Sequence, residues 1–378
     1  MNTQNENNTD ALNPYNTISK AEFESRMATQ EMDKELVTSK ADIGSMDMEE
    51  LTAYVLEKGW PKFRAKQIYD WLHKKFVANA EEMKNLPKDM RETLDGDILR
   101  VRMETKQESK SDGTIKFLFA MEDGQMIETV FMRYKYGNSI CISSQAGCPM
   151  GCAFCASTIG GWKRNLRPSE MLGQIYEAMR LTGERISNVV VMGTGEPFRN
   201  FDHLIQAIRL LTSQQGYNLS GRNITVSTCG VVPRIYELAE TGIPITLALS
   251  LHAPTDEKRK TLMPVAHLYT IQETLDACSQ YFEKTGRRVS CEYSLMSGIN
   301  DGPEDAKLLG QLLAKRNFHV NLIPINPVSE RDFKATSNDA VLGFKNTLEK
   351  YHINVTIRRS LGGDIDAACG QLRRKYEG

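Results

Sequence analysis

Apolar residues return with helical spacing from Met46 onward. Leu51, Tyr54, Val55 and Leu56 share one face, Asp47 stands where an N-cap belongs, and Gly59 and Pro61 end the run. A second helix is predicted over 64–76, with Ile68, Trp71, Leu72 and Phe76 on one side. Over 100–136 the pattern changes to strand-like alternation. Asp112-Gly113 and Asp123-Gly124 sit between apolar runs, and each is a hairpin signal. From Ser139 short β-branched runs alternate with helical stretches. The predicted strands are 139–144, 188–192, 223–227, 245–251, 289–295, 320–325 and 354–358. The helices between them are 168–181, 201–212, 234–240, 271–284 and 304–315. Residues 1–44 lack sustained periodicity and are rich in Asn, so they read as a disordered polar tail with one short helix around 20–34.

A repeated βα pattern favours a parallel sheet with right-handed crossovers. The expected class is α/β, a partial (β/α)6 barrel with a small N-terminal helical domain and a β extension. The expected boundaries are 1–44 for the tail, 45–99 for the helical accessory domain, 100–133 for the β-hairpin extension, 134–364 for the barrel and 365–378 for a C-terminal segment. Barrels of this kind gather their chemistry at the C-terminal ends of the strands. Cys148, Glu196, Ser227, His252 and Asn326 all fall beside or just past predicted strand ends.

Composition adds bounds. The chain has 378 residues, 47 Lys plus Arg and 48 Asp plus Glu, a formal net charge of −1. Balanced charge argues against a protein that coats nucleic acid by bulk positive charge, while leaving local basic patches open. Between Lys58 and Lys75 there are six Lys/Arg against one Asp, which suits either a solvated helix face or a helical domain touching RNA phosphates. No apolar run reaches membrane-span length, and the N-terminus has no signal pattern, so a cytoplasmic protein is expected. Eight Cys are too dilute for a disulfide scaffold; clustered Cys then point to metal or redox chemistry.

The cluster is Cys148-Pro-Met-Gly-Cys152-Ala-Phe-Cys155, directly after a predicted strand. Three thiolates on one tight loop can hold three irons of a [4Fe–4S] cluster and leave the fourth open to a substrate. Zinc is the rival, but a structural zinc needs a fourth Cys or His at close spacing, and none lies nearby in sequence. This spacing, with an aromatic residue before the last Cys and a βα barrel behind it, resembles the radical S-adenosylmethionine (SAM) superfamily. The resemblance implies that SAM chelates the open iron and is cleaved by one electron to methionine and a 5′-deoxyadenosyl radical.

Longer stretches narrow the resemblance. Cys141-Ile-Ser-Ser-Gln-Ala-Gly-Cys148, Arg164-Asn-Leu-Arg167, Gly193-Thr-Gly-Glu-Pro197, Ser250-Leu-His-Ala-Pro254, Asn321-Leu-Ile-Pro-Ile-Asn-Pro327 and Asp364-Ile-Asp-Ala-Ala-Cys-Gly-Gln-Leu372 are similar to the RlmN/Cfr family of RNA adenine methyltransferases. The likeness runs from Leu51 to Leu372. It implies two substrates, adenosine 2503 of 23S rRNA and adenosine 37 of certain tRNAs, and an electron donor such as flavodoxin or ferredoxin. It also implies a route to 2-methyladenosine. Carbon 2 of adenine is electron-poor, so the family first methylates a Cys, here Cys369. A second SAM removes hydrogen from that S-methyl group, and the methylene radical adds to the base. Cys141, seven residues before the first cluster Cys, matches the thiol that releases the adduct by forming a disulfide with Cys369.

Further roles are implied residue by residue. Glu128, in Met126-Ile-Glu-Thr-Val130, matches the base that takes the C2 proton, and its apolar neighbours suggest a carboxyl tuned by burial. Gly195 and Glu196 match the strand-end motif that receives the SAM amino group, with Thr194 where most relatives carry Met. Ser227, Ser250, Leu251, His252 and Asn326 match positions that hold the rest of SAM. Cys278 and Cys291 sit in apolar patterns and read as buried; Cys229 has no assigned role. Trp60 and Trp71 read as core of the small domain. Lys163, Arg164, Arg167, Arg358 and Arg359 offer phosphate contacts near the expected site. Two other functions compete: a Cfr-like C8 adenosine methyltransferase, which shares these motifs, and a non-catalytic Fe–S or zinc RNA-binding protein, which needs no paired redox Cys.

Overall fold

A computed structural model describes residues 25, 36, 38–326, 331–358, 362, 364, 365, 372 and 376. Of the tail helix expected around 20–34 only Ser25, in helical conformation, is among the described residues; Cys369, expected to carry the methyl group, and Arg359 lie outside them.

The N-terminal piece holds α1 (Met48–Glu57), α2 (Phe63–His73) and α3 (Lys88–Gly96). Asp47 caps α1 by accepting from the Glu49 and Glu50 amides, and the Glu50 carboxylate accepts from the Asp47 amide. This reciprocal box satisfies amide donors that a helix start leaves free. Leu51, Tyr54 and Val55 are buried, but Leu56 is 54% exposed. Three consecutive residues span about 200° of a helix, so all of Tyr54, Val55 and Leu56 cannot face one core. On α2, Ile68 and Leu72 are buried and Trp71 half-buried; Phe76 lies past its end.

The sheet begins with β1 (Arg102–Glu108), β2 (Ile115–Ala120) and β3 (Met126–Tyr134), antiparallel neighbours joined by the two Asp-Gly turns. Gly113 and Gly124 adopt φ of 70° and 79°, the left-handed geometry that these turns need and glycine gives freely. β4 (Gly137–Ile142) pairs antiparallel with β3 and opens a parallel series. The helix α4 (Pro168–Thr182) leads to β5 (Asn188–Val191), α5 (Phe201–Thr212) to β6 (Ile224–Thr228), and α6 (Val232–Glu240) to β7 (Thr246–Ser250). Then come α7 (Asp256–Leu262), α8 (Ile271–Thr285), β8 (Val289–Leu295), α9 (Pro303–Leu313), β9 (Phe318–Pro324), α10 (Asn338–Lys350) and β10 (Asn354–Ile357).

The ten strands lie in one sheet in sequence order, β1 to β10. The seven from β4 onward are parallel, one more than a six-unit barrel has. The sheet stays open, with β1 and β10 as its two edges. The expected extension is therefore continuous with the barrel through the β3–β4 pairing.

One face of this sheet is apolar and buried. Ile140, Val189, Val191, Ile224, Val226, Leu247, Leu249, Cys291, Tyr293, Val320 and Leu322 stand on it. The alternate positions carry Asn188, Thr225, Ser227, Thr246, Ser250, Glu292, Asn321 and Thr356, most of them partly exposed. Parallel strands covered on both faces read as continuous apolar runs. Here the polar alternate positions leave one face free for chemistry. Cys278 and Cys291 are buried in the core, as expected.

Candidate active site

The C-terminal edge of the parallel strands gathers the residues that the motifs single out. Ser227 is the penultimate residue of β6 and Ser250 the last of β7, and their Oγ atoms stand 3.3 Å apart. Ser227 therefore lies inside its strand rather than past it. Leu251 is buried, and its amide donates to the Glu292 carbonyl across to β8. Asn326 is exposed, two residues beyond β9.

His252 is held from several sides. Its backbone is left-handed, φ 57°, and its carbonyl accepts from Asn300 Nδ2 at 2.8 Å. The Ser294 amide donates to Nδ1 at 2.9 Å, which leaves the ring proton on Nε2. Burial brings its pKa down to about 3, so the ring is neutral. The Phe154 ring meets it edge-on at 4.9 Å, tying the cysteine loop to the segment just past β7.

Glu196 is buried with both oxygens engaged. Oε1 accepts from the Phe198 amide and Oε2 from the Cys229 amide at 2.8 Å. Burial raises its pKa, and these bonds pull against that rise. The carboxylate thus braces two strand-end loops. Its own amide donates to Gln145 Oε1, while Gln145 Nε2 donates to Asn165 Oδ1. Gly195 lies flat against the same stretch: at φ 112°, a Cβ there would come within 2.8 Å of the Gln145 amide nitrogen and Ser144 Oγ. Thr194 acts through its backbone, donating to Ser143 Oγ and accepting from the Ser144 and Gln145 amides. Its side chain is not what the motif uses, which explains how Thr can stand there.

The loop carrying Cys148, Cys152 and Cys155 follows directly. Cys148 and Cys152 are buried, Cys155 partly so. Burial, and then the neighbouring cysteine charges, push the Cys148 and Cys152 thiols up. Such a donor set is suited to a cationic iron group that offsets both effects. Arg259, on α7, is fully buried behind this loop. It donates from Nη2 to the Cys229 carbonyl at 2.6 Å and from Nε to the Leu251 carbonyl, while Nη1 finds no partner among the described residues. A buried guanidinium with a free corner, in the field of Cys152, fits an anionic cluster or a carboxylate of its ligand. Among the described residues no three His, Cys, Asp or Glu side chains converge on a single ion. Three thiols on one loop, beside a buried guanidinium, fit the three protein ligands of a [4Fe–4S] cluster.

Glu128 and Cys141 lie on adjacent strands. Val130 on β3 pairs with Cys141 on β4, so Glu128, two residues from Val130, projects from the same face. Glu128 is buried, and Lys116 Nζ on β2 stands 2.9 Å from its carboxylate. The sequence led to an apolar setting for this acid; the fold gives it a cation instead. Lys116 could have been suspected only from its place in an apolar strand opposite a Glu.

Arg164 corrects another expectation. It is buried, bonded to both carboxylate oxygens of Asp123 and of Glu170, and it clamps the β2–β3 turn to the start of α4. It is not available to a phosphate. Arg167 likewise turns inward to the Leu36 carbonyl and faces Asp42. Cys229, to which the sequence assigned no role, is buried, and its amide donates to Glu196.

Comparison with known proteins bears on this geometry. A model of the radical SAM superfamily matches residues 142–309, and one of the ribosomal RNA large subunit methyltransferase N-terminal domain matches 41–98. The probable dual-specificity RNA methyltransferase RlmN of Lachnoclostridium phytofermentans is 56% identical over 342 residues, covering 90% of this chain and 96% of that protein. The Clostridium perfringens protein of the same description is 51% identical, covering 87% and 95%. The crystal structure of a radical SAM methyltransferase from Sphaerobacter thermophilus superposes with a TM-score of 0.84 at 39% identity, covering 87% of this chain and 98% of that one. Membership of the superfamily implies a [4Fe–4S] cluster and SAM. With matches of this identity along nine-tenths of its length, the chain belongs to the RlmN family of dual-specificity RNA methyltransferases within the radical SAM superfamily.

Proposed function

We propose that the enzyme forms 2-methyladenosine at the two sites that the resemblance implies, adenosine 2503 of 23S rRNA and adenosine 37 of tRNAs. The observation that carries this reading is the shared sheet face of Glu128 and Cys141, a carboxylate and a thiol on paired strands beside the cluster loop. A simple methyltransferase has no use for that second thiol.

Cys148, Cys152 and Cys155 would hold the cluster. Gly195, Glu196, Ser227, Ser250, Leu251, His252 and Asn326 would surround SAM. When bound, these groups supply a methyl cation equivalent and the one-electron chemistry that removes a hydrogen atom from a methyl group. The chain does the rest. The Cys369 thiolate accepts the methyl group and, once activated, carries it to adenine C2. Glu128 takes the C2 proton. The radical adduct gives up one electron along with that proton; the Cys141 thiolate then attacks the Cys369 sulfur, the departing methylene carbon takes up a proton to become the methyl group of the base, and a disulfide remains. That bond must be reduced before the next turnover, which suits the cytoplasm. A flavodoxin or ferredoxin would supply electrons, and the helical piece at 45–99 would touch RNA, with the enzyme acting as a monomer.

Mass spectrometry of nucleosides, from a host lacking its own enzyme, tests the regiochemistry. The expected product is 2-methyladenosine; a C8-methylated product without it would establish the Cfr-like alternative instead. Reduced holoprotein that made no 5′-deoxyadenosine from SAM and RNA would point to the non-catalytic reading. A Cys141→Ala enzyme should accumulate a protein–RNA crosslink. Normal product with no bound RNA from that variant would contradict the role of Cys141.

A further inference from the structure

The open sheet has two edges, and residues beyond β10 reach back to the hairpin at the other edge. Ser109 Oγ donates to Asp364 Oδ1 at 2.6 Å, Ser111 Oγ to the same oxygen at 3.1 Å, and the Lys110 amide to Oδ2 at 2.9 Å. The contact is reciprocal: the Gly362 amide donates to Asp112 Oδ2 at 2.8 Å. Further along, the Tyr376 hydroxyl donates to Glu104 on β1. The receiving turn is rigid. Ser109 is buried and its amide bonds the Thr114 carbonyl, the Gly113 amide bonds the Ser109 carbonyl, and Asp112 Oδ1 accepts from the Thr114 amide.

These contacts flank Cys369 in sequence, five residues after Asp364 and seven before Tyr376. Five residues of chain reach at most about 18 Å. A thiol that must meet first a methyl donor and then a base needs its segment anchored within such a radius.

We propose that Asp364 and the β1–β2 turn form a two-way clamp that anchors the chain just before the methyl-carrying residue, with Asp364, Asp112 and Ser109 as positioning residues for methyl transfer. This rests on the reading of Cys369 as the carrier. A carboxylate that accepts a backbone amide and two hydroxyls is held by stronger bonds than neutral pairs form. The Ser109 bond, and then the Lys110 amide, keep the Asp364 carboxyl below the usual range. Burial pulls Asp112 upward, but the Gly362 and Thr114 bonds outweigh it and bring it to about 2. Both acids stay ionised at neutral pH, so the clamp is a constant anchor and not a pH switch.

The test uses reconstituted holoenzyme, full-length RNA substrate and two variants, Asp364→Ala and Ser109→Ala, with Ser109→Thr as the rescue. Iron and sulfide content serve as the folding control. Methylated RNA per 5′-deoxyadenosine formed is the readout, because misplacement of the carrier wastes SAM; a fall of about tenfold or more is expected from Asp364→Ala. Ser109→Ala should fall in the same direction, and Ser109→Thr should restore coupling. Wild-type coupling in Asp364→Ala overturns the clamp. If Asp364→Ala does not load iron, Ser109→Ala decides, and wild-type coupling there overturns it equally. Peptide mass spectrometry of the wild type separates the two ideas. Absence of S-methylation at Cys369 sinks the carrier reading. The clamp is then judged by hydrogen exchange over 362–372, which must quicken in Asp364→Ala and overturns it if unchanged.

Discussion

Lys116 and Glu128 show how much a single buried pair asks of its surroundings. Both side chains are taken out of water, and each is tolerable because the other is 2.9 Å away. Removing one partner of such a pair costs about 3–5 kcal/mol, since the other charge remains buried. Lys116→Met is therefore expected to lower stability by that order in a chemical denaturation experiment. Lys116→Met combined with Glu128→Gln should recover most of the loss while leaving RNA methylation impaired. Recovery of methylation along with stability would show that Glu128 serves packing alone. The motif around Glu128 was legible in the sequence, but Lys116 was not. Nothing between Ile115 and Phe117 distinguishes a buried Lys from one on a solvated strand; its partner lies twelve residues on, across a hairpin. Arg259 was hidden for the opposite reason. It sits in Asp-Glu-Lys-Arg-Lys, a run that reads as solvent-facing, yet its side chain is fully buried behind the cluster loop.

At the scale of elements, the cluster loop depends on the turn that launches it. Gly147, immediately before Cys148, has φ 77°, and a Cβ there would run into the Gly161 carbonyl with Trp162 Cα at 2.9 Å. Gly147→Ala should lose most of its iron after anaerobic reconstitution while the sheet, read by far-UV circular dichroism, persists. Full iron loading would show that the loop tolerates the strain. The βα succession was plain from periodicity because several of the parallel strands alternate a buried aliphatic with a polar residue, as in Ile224-Thr-Val-Ser-Thr228. The same alternation marks the reactive face, a signal that motifs alone do not use. α3 escaped notice because only Met90 and Leu94 of its nine residues are buried. α7 escaped because its run of charges conceals Arg259 and Leu262 as its inward residues.

For the whole molecule, two buried histidines set a limit on acid stability. Burial lowers His73, the last residue of α2, to about 4 and His252 to about 3, from an ordinary value of 6.5. Both stay uncharged in the folded chain down to those values, whereas the unfolded chain takes up the second ring proton already below 6.5. Their contribution is fully present above pH 6.5 and is lost progressively as pH falls toward 4 and then 3. Stability should drop by roughly 3 kcal/mol between pH 6.5 and 4 through His73 alone. His73→Gln should flatten that part of the profile in denaturation curves taken at several pH values; an unchanged slope would assign the acid sensitivity elsewhere.

The sheet also carries a timetable. Its strands lie in the order in which the chain is made, each pairing with the one before it. The Ser109–Asp364 bond is different, joining positions 255 apart. Contacts so distant in sequence form last and cost the most in chain entropy. An unfinished polypeptide emerging from a ribosome could therefore build the sheet from its first strand onward without its final anchor. The seam would close only after the sheet it joins has been made, which sets the readiness to modify RNA late in the enzyme's own folding.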